Sequence, residues 1–218
     1  MNIVRRHARV LANRPLAPGT HELEFERGDF LFRAGEEIIV HALHADQDRT
    51  YSLASGESDP TLKLLIREIP DGAVSPQLVR LPAGAVLDYS GPTGSFVLRD
   101  RTRPIWFIAT GTGIAPLLSF LRSDPRLRPV VLHGVQRATE RYAMAEILGR
   151  AEAYHPCLSR DPDHPARRVT DALAELPLSP HADYYLCGGQ PMIREARELL
   201  LARGIDAARI LAEPYYYW

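Results

Sequence analysis

An arginine and a tyrosine two positions apart on an extended run, Arg49-Thr50-Tyr51-Ser52-Leu53, can hold a phosphate with one side chain and stack a flat ring on the other. Strand alternation puts Arg49, Tyr51 and Leu53 on one face and Thr50 and Ser52 on the other. For so short a string, an edge strand with a surface ion pair is the default reading. A second constellation follows Ile105-Trp-Phe-Ile-Ala109, where Thr110-Gly111-Thr112-Gly113-Ile114-Ala115-Pro116 leads into an apolar run. Glycines between a strand and a helix let a pyrophosphate approach the backbone and the positive helix terminus. Pro116 stands where the usual dinucleotide fingerprint wants its third glycine, so a plain tight turn fits equally well. The third constellation concerns which dinucleotide. An NAD site presents an acid at the end of its second strand for the ribose hydroxyls. Here that stretch reads His133-Gly134-Val135-Gln136-Arg137, with Arg141 after it, then Ser159-Arg160 and Arg167-Arg168 further on. Guanidinium groups and a hydroxyl suit a dianionic 2′-phosphate. Surface arginines are common, and one of these is expected to be only that; the expectation is that two or more serve the phosphate.

Other chemistries lack their residues. Cys157 and Cys187 are the two cysteines, too few for a four-cysteine cluster and spaced for no zinc site, so any redox centre must be a bound organic cofactor. There is neither a Gly-x-Ser-x-Gly nor a Gly-Lys-Ser/Thr loop. His41 and His44 fall on opposite faces of their expected strand, and Asp161-Pro-Asp163-His164 reads as loop, so no metal is assigned. The net charge of −1 points to neither nucleic acid nor a membrane surface, and no apolar run approaches a bilayer span. Arg5, Arg6 and Arg9 near the N-terminus come without an apolar export region, so the expectation is cytoplasmic.

These residues need elements to position them. The first hundred residues read as short strands, Val4–Val10, His21–Glu26, Glu37–Leu43, Arg49–Ala54, Thr61–Ile69, Val86–Ser90 and Ser95–Leu98, broken by turn pairs such as Pro18-Gly19 and Asp71-Gly72. One short helix is expected at Ser75–Leu81. Strands at this spacing predict an antiparallel barrel. Beyond Arg99–Pro104 the pattern alternates. Strands are expected at Ile105–Ala109, Val130–Gly134, Tyr154–Leu158, Asp183–Leu186 and Arg209–Ala212, and helices at Ile114–Arg122, Thr139–Leu148, Asp171–Leu176 and Met192–Arg203. The reading is β + α/β: an N-terminal antiparallel β-barrel over 1–100, then a parallel, Rossmann-like α/β domain over 101–218.

Five motifs in order, Arg49-x-Tyr51-Ser52, Gly72-Ala73-Val74-Ser75, Gly91-Pro92-Thr93-Gly94, Gly111-Thr112-Gly113-Ile114-Ala115-Pro116 and Cys187-Gly188-Gly189, resemble the plant-type ferredoxin–NADP⁺ reductase family. The end, Ala212-Glu213-Pro214-Tyr215-Tyr216-Tyr217-Trp218, is similar to its bacterial ferredoxin/flavodoxin branch, which closes in Glu-x-Tyr-Trp, except that two extra aromatic residues follow Tyr215. The resemblance implies an FAD-binding barrel and an NADP(H)-binding second half, with hydride exchange between the cofactors and single electrons passed to ferredoxin or flavodoxin. It implies that Arg49 meets the FAD diphosphate, Tyr51 packs on the flavin and Ser52 lies near its reactive nitrogen. Gly72, Val74 and Ser75 would face the diphosphate. Thr112 would meet the NADP diphosphate, Ser159 and Arg160 the 2′-phosphate, and Cys187 and Glu213 the nicotinamide. Tyr215 would cover the flavin, with Trp218 beyond it. Leu53, Gly113, Gly188, Arg137 and Arg168 complete the expected cofactor contacts. A buried structural thiol is the plain alternative for Cys187. Arg5, Arg6, Arg9, Arg99, Arg101 and Arg103 are candidates for a rim that docks an acidic carrier, and a monomer or weak dimer is expected. Two rivals stay open: an NADH-dependent reductase component of an oxygenase, and a non-catalytic flavin-bound electron-transfer subunit.

Overall fold

The computed structural model describes residues 4–41 and 47–215. The chain divides into two compact units. Among the described residues, one holds those up to Leu98 together with Ala115–Asp124; the other holds Arg99–Ile114 and those from Pro125 to Tyr215.

In the first unit six antiparallel strands, β1 (Arg5–Ala17), β2 (Thr20–Glu26), β3 (Glu37–Val40), β4 (Arg49–Ser52), β5 (Thr61–Arg67) and β6 (Val86–Thr93), lie in the order β4-β3-β6-β1-β2-β5. A single bridge between Leu53, just past β4, and Leu64 of β5 joins the two outermost strands, so the sheet closes on itself at that point. Inward positions follow the pleat. On β2, Leu23 and Phe25 are fully buried, while Glu22 and Glu24 turn outward to Arg14. Phe25 and Phe30 meet the ring of Tyr89 edge-on at 5.6 and 5.5 Å. The single-turn helix α1 (Ser75–Leu78) adds Val74 and Leu78 to the same core.

The helix after the glycine turn, α2 (Ala115–Ser123), belongs to this unit. Ser119 Oγ accepts from Gly35 N at 3.3 Å, Ser123 Oγ accepts from Glu57 N at 2.9 Å, and Arg122 Nη1 donates to the Ala54 carbonyl at 2.8 Å. Gly35 has φ +88°, and a Cβ there would lie 2.1 Å from the Phe96 carbonyl oxygen and 2.6 Å from the Phe120 ring. Only glycine satisfies both conditions. The expected strand Ser95–Leu98 does not form. Its alternation is real, since Phe96 and Leu98 are buried, but Phe96 stacks on Phe120 of α2 at 6.2 Å and makes no ladder. β1 runs on to Ala17 instead of stopping at Val10. β3 ends at Val40, and Ala42 and Leu43 of its expected strand lie outside the described residues.

The second unit is a parallel sheet of β7 (Ile105–Thr110), β8 (Val130–Val135), β9 (Ala153–Leu158), β10 (Asp183–Gly189) and β11 (Ile210–Tyr215), ordered β11-β10-β7-β8-β9. Its helices are α3 (Met144–Leu148), α4 (Val169–Glu175) and α5 (Gln190–Ala202). α5 follows its sequence signals. Pro191 sits in its first turn, Met192, Ile193, Ala196 and Leu200 form the buried stripe, and Gly204 at φ +80° ends it. The expected helix Thr139–Leu148 is broken. Glu140 folds its carboxylate back onto Gln136 N at 3.0 Å, ending a 3₁₀ turn over Ala138–Glu140, and Ala143 takes φ +52° before α3 begins.

Candidate functional site

In the barrel the candidate flavin residues share β4 and the turn into α1. Tyr51 is half-buried against the core, and that burial pushes its phenol well above the ordinary tyrosine range, opposed by the charge of Arg49. It therefore offers a neutral ring. The guanidinium of Arg49 donates to the Asp48 carbonyl at 2.9 Å and to Gln47 Oε1 at 2.7 Å, at the outer end of the strand. Ser52 is buried, and Leu53 lies wholly inside the core, its N–H bonded to the Glu36 carbonyl. Ser75 Oγ accepts from Ile69 N at 3.0 Å, which closes the loop carrying Gly72, Ala73 and Val74. An arginine fork, a neutral ring and a buried hydroxyl on one strand are a donor set suited to a flavin nucleotide.

Two residues here have places that the sequence reading did not give, His41 having been weighed there only for a metal. His41 bonds Asp48 Oδ2 through Nδ1 at 2.9 Å and Ser90 Oγ through Nε2 at 2.6 Å, tying the residue next to Arg49 to β6. Glu37 stands opposite Ser52 in the β3–β4 ladder, and burial raises its carboxyl above the usual range. A two-residue sequence signal exists for neither, because both depend on strand register.

In the second unit the strand order reverses between β7 and β10, the place where open α/β sheets bind ligands. Two close approaches and one open turn shape it. Gly113 packs so tightly on β10 that a Cβ would lie 2.5 Å from the Cys187 carbonyl oxygen. Gly188, at φ +135°, would place one 2.2 Å from Thr110 Oγ1, and that hydroxyl accepts from Gly189 N at 3.1 Å. Gly111 needs its glycine only for φ +53°, and the space in front of it is open, so a ligand can reach the backbone of this turn. Thr112 is buried within the 3₁₀ turn Gly111–Ile114. Cys187 is fully buried beside its ladder partner Glu213, with its thiol 3.9 Å from Glu213 Oε1; Tyr215 pairs with Gly189 two positions on and is half-buried. Tyr216, Tyr217 and Trp218 lie outside the described residues, as does His44.

Beneath the turn sits a residue whose role the sequence reading did not name. His133 is completely buried, its Nε2 3.0 Å from the Gly111 carbonyl and its Nδ1 3.3 Å from the Tyr154 hydroxyl. Burial lowers its pKa to about 4, with the Gly111 bond opposing, so the ring is neutral near pH 7. Nε2–H then donates to Gly111, and Nδ1 accepts from Tyr154. The turn is anchored to β8 and β9 from below.

The candidate 2′-phosphate residues converge through the backbone. Ser159 N donates to the Val135 carbonyl at 3.0 Å, Arg160 N to Gln136 at 2.9 Å, and Arg167 N to Leu158 at 2.8 Å. This sets Ser159-Arg160 between Gln136-Arg137 and Arg167-Arg168. Ser159, Arg137 and Arg160 are exposed, and neither arginine has an ion-pair partner among the described residues. The others are engaged: Arg167 Nη2 lies 2.5 Å from Glu175, and Arg168 reaches Glu195 with both terminal nitrogens. The expected basic rim is likewise largely paired, Arg5 with Asp88, Arg6 with Asp29, Arg9 with Glu26 and Arg103 with Asp100. Among the described residues no cluster of three or more histidines, cysteines or carboxylates could hold a metal, and no helix is long and apolar enough to cross a membrane.

Comparison with known proteins fits these two regions. Residues 17–98 match the oxidoreductase FAD-binding domain and residues 107–198 the oxidoreductase NAD-binding domain. Ferredoxin–NADP reductase B of Sorangium cellulosum (strain So ce56) is 42% identical over 127 residues, 55% of this chain and 52% of that protein. Ferredoxin–NADP reductase A of the same organism is 30% identical over 210 residues, covering 81% of this chain and 75% of that one. A solved Amycolatopsis cytochrome P450 reductase superposes with a TM-score of 0.86 at 27% identity, covering 98% of this chain and 71% of the other. The chain spans 52 to 61% of the length of most of the curated relatives it matches. With an arginine–tyrosine–serine strand on a closed barrel, and a glycine turn against a Cys-Gly-Gly strand end at the reversal of a parallel sheet, the chain belongs to the ferredoxin–NADP⁺ reductase family of FAD- and NAD(P)-binding oxidoreductases.

Proposed function

We propose that this chain is a ferredoxin/flavodoxin–NADP⁺ reductase that exchanges a hydride between NADP(H) and FAD and single electrons with a small carrier, ferredoxin or flavodoxin. When bound, the two cofactors supply the hydride and one-electron chemistry. The protein's own residues bind and orient. Arg49 takes the FAD diphosphate, Tyr51 covers part of the ring system, and Ser52 offers its hydroxyl near the reactive nitrogen. Val74 and Ser75 line the diphosphate beside Gly72. Across the sheet reversal, Thr112 and the open backbone at Gly111 receive the nucleotide diphosphate. The Cys187 thiol and the Glu213 carboxylate lie together at the β10–β11 ends to meet the nicotinamide, with the thiol proton directed at Glu213. Residues 1–100 carry FAD and 101–218 carry NADP(H), in a cytoplasmic monomer or weak dimer.

One observation supports NADP(H) most directly. Ser159 and Arg160 stand exposed at the end of β9, fixed by backbone bonds beside Arg137, and the residues that follow β8 are Gln136 and Arg137 instead of an acid, the Glu140 carboxylate nearby being bound to Gln136 N. The test is to purify the protein, identify the released flavin, and compare NADPH with NADH in steady state with ferricyanide, then with ferredoxin and flavodoxin. A kcat/KM higher with NADPH, and reduction of either carrier, support the reading; equal use of NADH refutes the nucleotide assignment. A second reading, the NADH-dependent reductase component of an oxygenase, is favoured by the likeness to the P450 reductase. It would show as NADH preference together with failure to reduce either carrier.

A further inference from the structure

We propose that Glu195 sets how strongly this chain discriminates NADP(H) from NAD(H), by competing with the 2′-phosphate for Arg168; this rests on the NADP(H) reading above. Arg168 is fixed at both ends. Its backbone N–H donates to Asp171 Oδ2 at 2.8 Å, which locks it to the first turn of α4. Its guanidinium meets the carboxylate of Glu195, on α5, as a two-point fork, Nη2 to Oε2 at 2.5 Å and Nη1 to Oε1 at 3.3 Å. A phosphate, though tetrahedral, also offers an arginine two oxygens at once, so the carboxylate occupies the fork a 2′-phosphate would use. Among the described residues Arg137 and Arg160 have no such rival.

The nucleotide therefore meets two classes of arginine. Arg137 and Arg160 are ready to bind, whereas Arg168 must first exchange one anion for another. The free energy of the Arg168–Glu195 pair is subtracted from 2′-phosphate affinity and from nothing else, because a nucleotide without that phosphate leaves the pair intact. Both side chains are substantially exposed, 57% and 41%, which screens the pair and keeps the effect modest. Glu195→Gln keeps the size and removes the charge. It should tighten binding of adenosine 2′,5′-bisphosphate about two- to fivefold, the range of an exposed ion pair, and the gain should shrink in high salt.

The experiment is calorimetric titration of the FAD-loaded protein with adenosine 2′,5′-bisphosphate, using 5′-AMP as the ligand lacking the second phosphate. Wild type, Glu195→Gln, Arg168→Ala, the double variant and Arg160→Ala are compared, with Glu195→Ala as a second neutral replacement. The proposal expects Glu195→Gln to tighten the bisphosphate alone, and the gain to vanish once Arg168 is alanine. An unchanged bisphosphate affinity in both Glu195 variants overturns it, and so does a gain that persists without Arg168, since the carboxylate then acts only as a general field. If wild type binds the two ligands equally and Arg160→Ala weakens neither selectively, the NADP(H) reading itself has failed. Arg160→Ala weakening the bisphosphate while Glu195 is silent leaves that reading standing and removes only this one.

Discussion

Arg49 donates to the Asp48 carbonyl and to the side-chain amide of Gln47, and in the proposed function its guanidinium meets an anionic diphosphate, a stronger class of partner than either. Removing a charge-assisted contact costs about 1.5–3 kcal/mol, roughly a 10- to 150-fold change in affinity. Arg49→Ala should accordingly release FAD on gel filtration where wild type keeps it, and full retention would show that the diphosphate is held elsewhere. Arg160 has no competing ion-pair partner among the described residues, so its loss should raise the KM for NADPH by a comparable factor and leave NADH nearly unaffected. Equal losses with both nucleotides would place Arg160 outside the 2′-phosphate site. At this scale the sequence shows residue type and order, as in Arg49-x-Tyr51-Ser52 and Ser159-Arg160, and the first of these taken alone reads as an ordinary edge strand. What they bond to it does not show. The Glu195 that holds Arg168 lies 27 positions away, and Leu53, which alternation set beside Tyr51, is consumed by the core because the strand ends at Ser52.

The elements explain why the turn at Gly111 keeps its shape, and they yield two tests. Gly111 and Gly188 both have positive φ, yet only at Gly188 would a side chain overlap a neighbour. Gly111→Ala should lower the unfolding free energy by about 1 kcal/mol, the cost of a left-handed alanine. Gly188→Ala adds the clash with Thr110 to strain of about 1–3 kcal/mol, and urea midpoints should rank it clearly below Gly111→Ala. His133 gives a pH dependence of definite sign. Its folded pKa, about 4, lies below the ordinary 6.5, so the unfolded chain binds more protons between those values. The stability it confers is complete above 6.5 and is lost as pH falls through about 4. Between pH 7 and pH 4.5 the loss should be about 2–3 kcal/mol. His133→Gln, read by urea denaturation at both pH values, should show a smaller drop than wild type by that amount; identical drops would mean the ring is not held neutral. The alternation of strand and helix, and the stripe of α5, were legible because period and caps agree. The break at Ala143 was not, since it comes from Glu140 reaching back to Gln136 N, a bond no periodicity encodes.

For the molecule as a whole, most of the arginines expected to form a docking rim are neutralised where they stand, and the net charge is −1. Carrier reduction should therefore depend on salt less steeply than docking on an unpaired basic patch would, which stopped-flow rates at two ionic strengths would measure. The two units do not follow one cut in the sequence. The barrel strands end by Thr93, yet α2, residues 115 to 123, supplies Phe120 beneath Gly35 and three hydrogen bonds to the barrel's loops. A chain ending at residue 100 should thus be far less cooperative in thermal unfolding than the division by sequence pattern suggests. The shared helix also bears on how the protein is made. Synthesis proceeds at about 5–20 residues per second, so the nascent barrel waits roughly one to five seconds after residue 100 leaves the ribosome before α2 has followed it. During that interval Phe96 and the backbone around Gly35 lack the helix that covers them. A nascent chain stalled shortly after residue 100 emerges should be sensitive to protease and bound by chaperones, and one stalled after Asp124 has cleared the exit tunnel should be protected.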